Sequence, residues 1–398
     1  MIKLSKRRYV FFFLLFFIVL YLESTNIVGS LTIGQLWKGV LVAILMIYAF
    51  KRFHFKRKLY HKMSYYYAFK VLINSNIFYK PLTNIVYFIK YAMISLLIEY
   101  FKNKSTKLIC SILFLLAQFI ILSSIPYNLG FLESAKSTDD LSDFGFSNIN
   151  LNSGIFQGIH AAALTYSFSF LVIFYFIFIN KKYLTKHFYH SKIYNILLLA
   201  ISVYSLYSTF ARTGYVMFLV GWIIMIFTNK NLSLRTIFIF LSSLVIIPFT
   251  LVFLVQSNDA LRARLFDERV SGNQEVGSGR LDIWKSSIEN WREGDTFELL
   301  FGIGDDILRE KNLKKIGMAI YSHNQYVDSL AQNGIIGLLL YVTMFISILI
   351  VILKRKHSEF YRLTLPIVIS YIMMDIFQGG IWPITLFIFV LSLILIER

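Results

Sequence analysis

The residues best suited to chemistry in this chain are one histidine and two arginines, each set where polar sequence meets apolar sequence. His323 stands in Tyr321-Ser322-His323-Asn324-Gln325-Tyr326, at the end of a long polar stretch, 256–325, that runs directly into an apolar one. The ordinary pKa of histidine suits proton transfer near neutrality, so His323 is a candidate general base; a structural polar contact at a helix end is the alternative. Arg280 follows Gly277-Ser278-Gly279. With Ser278 as an N-cap, Arg280 falls in a first helical turn whose unpaired backbone N–H groups can hold an anion. Asp282 or Glu289 could equally be its partner. Arg212 lies in Ser208-Thr209-Phe210-Ala211-Arg212-Thr213-Gly214, a short turn between two apolar runs. A guanidinium there either snorkels to headgroups or faces a cavity, where its planar fork matches phosphate oxygens.

The elements that must position these residues are membrane helices. The chain has 398 residues, of which 57% are hydrophobic and only 16% charged, and its mean hydropathy of +0.63 excludes an ordinary soluble domain. Long apolar runs without period-2 alternation predict helices, because a helix satisfies its own backbone in lipid. Spans are expected near 9–22, 31–50, 64–80, 85–101, 108–125, 155–179, 193–211, 214–228, 236–255, 334–353, 363–377 and 383–396. The fold class is therefore an all-α polytopic membrane protein of about 12 transmembrane helices. It forms a single integral membrane domain over 1–398. The basic start at Lys3 to Arg8 precedes an apolar run without a convincing small-x-small cleavage site, so 9–22 is read as a retained first span.

The net charge is +18, and in such a chain the surplus cations are sorted to one face of the membrane before nucleic acid is considered. Basic loops at 3–8, 51–62, 102–107, 181–192, 230–235 and 354–362 all fall on the cytoplasmic side if every expected span is kept. Both termini then face the cytoplasm. Two long loops fall outside, 126–154 and 256–325, and the larger, placed before the tenth span, is the expected catalytic loop with short amphipathic helices. Within it Trp284, Ile288 and Trp291 recur at helical spacing, a face suited to the membrane interface.

No His/Glu set has metal-ligand spacing, and the outer acidic pairs Asp139-Asp140 and Asp305-Asp306 read as solvated turns. No glycine loop cradles a phosphate, and Cys110, the single cysteine, has no disulfide partner in the chain. Gly334 and Gly337 read as sites of close helix packing. Asp375, near the outer end of its span, does not make the charged intramembrane set expected of a transporter.

His323-Asn324-Gln325-Tyr326 followed by Leu330-Ala331-Gln332-Asn333-Gly334-Ile335-Ile336-Gly337 resembles the signature of the O-antigen polymerase and O-antigen ligase superfamily. Ala211-Arg212-Thr213-Gly214 is similar to that family's Ser-Arg-Thr-Gly turn, departing from it at Ala211, and Gly279-Arg280 with Trp284 resembles its loop arginine. Gly154-Ile155-Phe156-Gln157-Gly158-Ile159-His160 resembles a weaker family segment, with His160 a secondary candidate. The resemblance is strongest over about 150–350.

What it implies is a membrane glycosyltransferase, without cofactor or metal, that moves a glycan from a polyprenyl (undecaprenyl) diphosphate carrier to a hydroxyl on another glycan. Arg212, Arg280 and His323 are its implied catalytic residues. Arg212 and Arg280 would bind the diphosphate, with Asn324, Tyr326, Trp284 and His160 completing the substrate site. The implied setting is the bacterial cytoplasmic (inner) membrane and the synthesis of O-antigen or capsular polysaccharide. Membrane lipid surrounds it, and a chain-length regulator and a flippase are candidate partners. Polymerase is the favoured expectation, ligase-type transfer the alternative, and a lipid-linked sugar transporter the rival of a different class.

Overall fold

The structure is a computed structural model that describes residues 26–28, 31–32, 58–74, 81–132, 140–141, 146–150, 152–156, 158–183, 192–228, 259, 280–379 and 383–398. Its helices are α1 (Leu59–Asn74), α2 (Pro81–Phe101), α3 (Thr106–Asn128), α4 (Ile159–Phe174), α5 (Lys192–Ser208), α6 (Arg212–Phe227), α7 (Arg280–Arg292), α8 (Thr296–Phe301), α9 (Asp305–Ile316), α10 (Gln325–Lys354), α11 (Tyr361–Phe377) and α12 (Pro383–Ile396). Two short antiparallel ladders, Asn26–Val28 with Leu31–Thr32 and Asp140–Leu141 with Phe146–Asn150, add little to a helical protein.

Among the described residues, three helical stretches are long and apolar enough to cross a membrane: Thr106–Asn128, Ile159–Ile179 and Gln325–Lys354. Shorter apolar helices occupy Tyr91–Phe101, Ile193–Ser208, Arg212–Phe227 and Ile384–Ile396. The spans expected at 9–22 and 236–255, and most of 31–50, lie outside the described residues, as do 256–258 and 260–279 of the larger loop. The rest of that loop carries the expected short helices, α7 to α9.

Small residues set the helix spacing around the site. A Cβ on Gly214 would lie 2.3 Å from Cβ of Ala163, and one on Gly221 would meet Leu171 and Ser370, so α4, α6 and α11 approach where side chains are smallest. Helices α4 and α6 run in the same direction, since Ala163 faces Gly214, Phe170 meets Phe218, and Phe174 meets Trp222. Helix α11 runs the other way. Its start lies against the far end of α4, where Tyr175 donates to the carbonyl of Glu359. The N-termini of α4 and α6 and the C-terminus of α11 consequently share one end of the bundle.

The span expected at 334–353 begins at a break in α10. Gly334 leaves helical geometry at φ 69° and ψ −174°, and α10 is divided there into two arms. Tyr326 and Tyr341 meet edge to face at 5.7 Å between ring centroids. A Cβ on Gly337 would sit 3.3 Å from the carbonyl oxygen of Ser329, a separation that residues eight apart in a straight helix, about 12 Å along the axis, do not reach. The chain therefore doubles back as a helical hairpin. Its second arm, 335–354, is 20 residues by its numbering and has the length of a membrane span.

Glycine is required at the tip of that hairpin. The φ of Gly334 is left-handed, and an added Cβ would lie 2.3 Å from the carbonyl oxygen of Leu300. Loop helix α8 ends against it, with Ile303 N–H donating to Ala331 at 3.0 Å and Gly304 N–H to Gln332 at 3.1 Å. Helix α1 flanks the hairpin, Tyr67 bonding Ser329 Oγ at 2.6 Å and Lys70 donating to the Phe301 carbonyl at 2.6 Å.

Candidate active site

The turn carrying His323 is built by its neighbours. Ser322 N–H donates to Asp328 Oδ1 at 3.0 Å, and Ser322 Oγ both donates to the Asn324 carbonyl at 2.9 Å and accepts its N–H at 3.1 Å. Asn324 caps α10, its Oδ1 accepting from Tyr326 N and Val327 N at 3.0 and 3.2 Å. His323, caught between these anchors, takes φ 53°; Phe210, two residues before Arg212, is the other non-glycine residue with positive φ among the described residues. Such backbone is disfavoured for an L residue and is held only where surrounding bonds over-determine it. Among the described residues, the imidazole of His323 has no hydrogen-bond partner.

Helix α7 closes on this turn from the loop side. Trp284 Nε1–H donates to the Ser322 carbonyl at 2.7 Å, and Trp291 Nε1–H to Leu299 at 3.1 Å. This corrects the expected interface face: Ile283, Ser286, Ser287 and Asn290 are the buried positions, while Ile288 is 39% exposed. The buried face is polar because Asn312 of α9 bonds into it, receiving Ser286 Oγ–H and Asn290 Nδ2–H at 2.9 Å each. The tryptophans instead tie α7 to the turn and to α8.

Arg280 is the first residue of α7. Its Nη1 donates to the Phe377 carbonyl at 2.5 Å and its Nη2 to Gln378 Oε1 at 3.1 Å, so it binds the C-terminal end of α11. A cation there also complements the negative end of the helix dipole. Glu289, one of the acidic residues near it in sequence, pairs with Lys315 at 2.9 Å. Gly379, at φ 59°, continues past this end and packs on the backbone of Asn324 and Gln325. Burial lowers the pKa of His323 below the ordinary histidine value, and the Arg280 charge lowers it further. Arg280 and His323 are thus coupled across the Phe377–Gly379 segment.

Arg212 begins α6 at the same end of the bundle. Ala211, its N-cap residue, has no hydroxyl, and Thr209 Oγ1 instead accepts the Ala211 N–H at 3.2 Å. His160, in the first turn of α4, bonds Thr213 Oγ1 through Nδ1 at 2.9 Å. The structure therefore forms two groups, His160 with Arg212 and Thr213, and Arg280 with Trp284, His323, Asn324 and Tyr326.

Several residues in this region escaped sequence reasoning. Ser322, Asp328, Phe377, Gln378 and Gly379 build the turn or receive Arg280, and only the paired Gly379-Gly380 hinted at a special conformation. Asp375, passed over as an isolated charge, is fully buried beneath the site. Its Oδ2 accepts the Tyr341 hydroxyl at 2.5 Å, while Oδ1 has no partner among the described residues.

Residues 197–342, from α5 to the second arm of the hairpin, match the family model described as O-antigen ligase. This match over part of the chain supports its resemblance to the O-antigen polymerase and ligase superfamily. The matched segment contains Arg212, Arg280 and His323 and stops short of His160. The match is in keeping with an O-antigen ligase or polymerase type of function. No curated protein matches the chain.

Proposed function

We propose that this protein polymerises lipid-linked oligosaccharide repeat units by glycosyl transfer on the outer face of the cytoplasmic membrane. The observation that carries this reading is His323 held in a left-handed turn beside Arg280, at the bundle end that also bears Arg212.

The acceptor hydroxyl oxygen attacks the anomeric carbon of the donor glycan. Its bond to that carbon forms as the carbon–oxygen bond to the diphosphate breaks, and the bonding pair leaves with the diphosphate. Negative charge grows on the leaving group, so a guanidinium aimed at it stabilises the transition state more than the ground state. Arg212 and Arg280 take that role. The acceptor proton passes to the neutral imidazole of His323, whose depressed pKa keeps it unprotonated near neutrality. Asn324, Tyr326 and Trp284 would complete the substrate site around His323, and His160 would do so beside Arg212.

The test is deletion of the gene followed by gel analysis of the surface polysaccharide. Single repeat units attached to the surface are expected. Long chains stranded on the carrier lipid would instead identify the ligase reaction.

A further inference from the structure

At the end of the bundle opposite His323, a cavity of about 470 Å³ lies among the C-terminus of α10, the turn before α11, the segment after α4, the start of α3 and the chain end. Lys354, Arg355, His357 and Arg398 line it, with Glu359 as its one acidic wall residue. That carboxylate is already committed. Lys182 pairs with it at 2.6 Å, Asn180 donates to it at 3.0 Å, and Tyr183 donates to its other oxygen. Burial opposes the charge of Glu359, but these bonds outweigh it and hold the pKa below the ordinary glutamate value.

The π-helical turn Tyr175–Ile179 brings Asn180 to Glu359. Arg398 is also fixed, its guanidinium donating to the carbonyls of Phe101 and Lys102 at 3.1 and 2.9 Å and to Thr106 Oγ1 at 3.3 Å. These three acceptors are neutral groups. Among the described residues, Lys354 and Arg355 form no ion pair with a carboxylate. Helix-dipole complementarity accounts for basic residues at the end of α10, but it does not account for a third basic side chain, Arg398, lining the same cavity.

We propose that this cavity binds a phosphate group, held by Lys354, Arg355 and Arg398, and that the group is carried by an anionic membrane lipid or is free phosphate. Phosphate matches the charge and the forked donors of arginine, and basic pockets between membrane helices suit anionic headgroups. The site is independent of the glycosyl-transfer reading.

The test uses the full chain in neutral detergent, titrated with short-chain phosphatidylglycerol, short-chain phosphatidylcholine or inorganic phosphate and followed by calorimetry. Phosphatidylglycerol is expected to saturate one site, and K354Q with R355Q to weaken it by about 30-fold, as for two lost surface cations. The charge-conserving pair K354R with R355K should keep the binding. Competition by inorganic phosphate at equal concentration assigns free phosphate as the ligand, and failure to compete assigns the lipid headgroup. Equal binding of both lipids without any phosphate binding, unchanged binding in the Gln pair, or equal loss in the charge-conserving pair would overturn the proposal.

Discussion

Arg280 Nη1 donates to the carbonyl oxygen of Phe377 at 2.5 Å, so the first residue of one helix holds the last turn of another. Because Gln378 takes the second arm of the guanidinium, the group is oriented from two directions, which a lysine ammonium on a flexible stem does not reproduce. Arg280→Lys is expected to lower turnover by about 10- to 100-fold, the scale of a lost charged hydrogen bond, measured with lipid-linked repeat units and purified protein. A full-rate lysine variant with a lowered melting temperature would reduce Arg280 to a helix cap.

The pH profile tests His323. Its folded pKa lies below the ordinary histidine value through burial and through Arg280, and the neutral ring is the base. Activity should thus be complete above that lowered pKa and be lost as pH falls through it. Replacing Arg280 by Gln should move the midpoint upward. His323→Gln should lose the acid limb and about 10² to 10⁴ of the rate; a near-parental rate would make it a positioning residue.

Backbone conformation at the same residue gives a separate stability test. At φ 53°, His323→Gly relieves left-handed strain that His323→Ala retains. The glycine variant should therefore be more stable than the alanine variant by about 1 kcal/mol, read from denaturant midpoints in detergent. Equal midpoints would argue against the strained turn.

Two glycines with similar φ separate strain from close contact. Gly317, at φ 74°, has nothing within 4 Å of an added Cβ, whereas Gly334, at φ 69°, would meet Leu300 and Gly302 backbone. Gly317→Ala should cost about 1 kcal/mol, and Gly334→Ala more than about 3 kcal/mol through disruption of the hairpin tip. Folded yield by size-exclusion profile and melting temperature measure the difference.

Orientation is accessible to labelling, because Cys110 is buried and contributes little background. Lys285 and Lys356 are both exposed on opposite ends of the molecule. In intact cells, an impermeant maleimide should modify K285C and leave K356C unlabelled until the membrane is opened. The reverse pattern would invert the topology and remove the outer-face site.

The sequence by itself determined the helical membrane character, most element positions and the local placement of Arg212, Arg280 and His323 at helix starts. These follow from near-neighbour physics: apolar length predicts helices such as Thr106–Asn128 and Ile159–Ile179, and Asn324 capping Tyr326 and Val327 spans only three residues. Tertiary structure alone decided the partners of Arg280, the polar packed face of α7, and the reversal at Gly334. In α10 the apolar pattern continues through a glycine that sequence reads equally well as a packing site, and only the backbone of Leu300 and Gly302 pressing on it selects the left-handed turn. Arg280 had acidic neighbours within its own helix, yet it bonds Phe377, 97 residues away in the chain, because α11 brings unsatisfied C-terminal carbonyls to the start of α7. Such a choice depends on which groups the fold leaves without partners, and no local spacing encodes it.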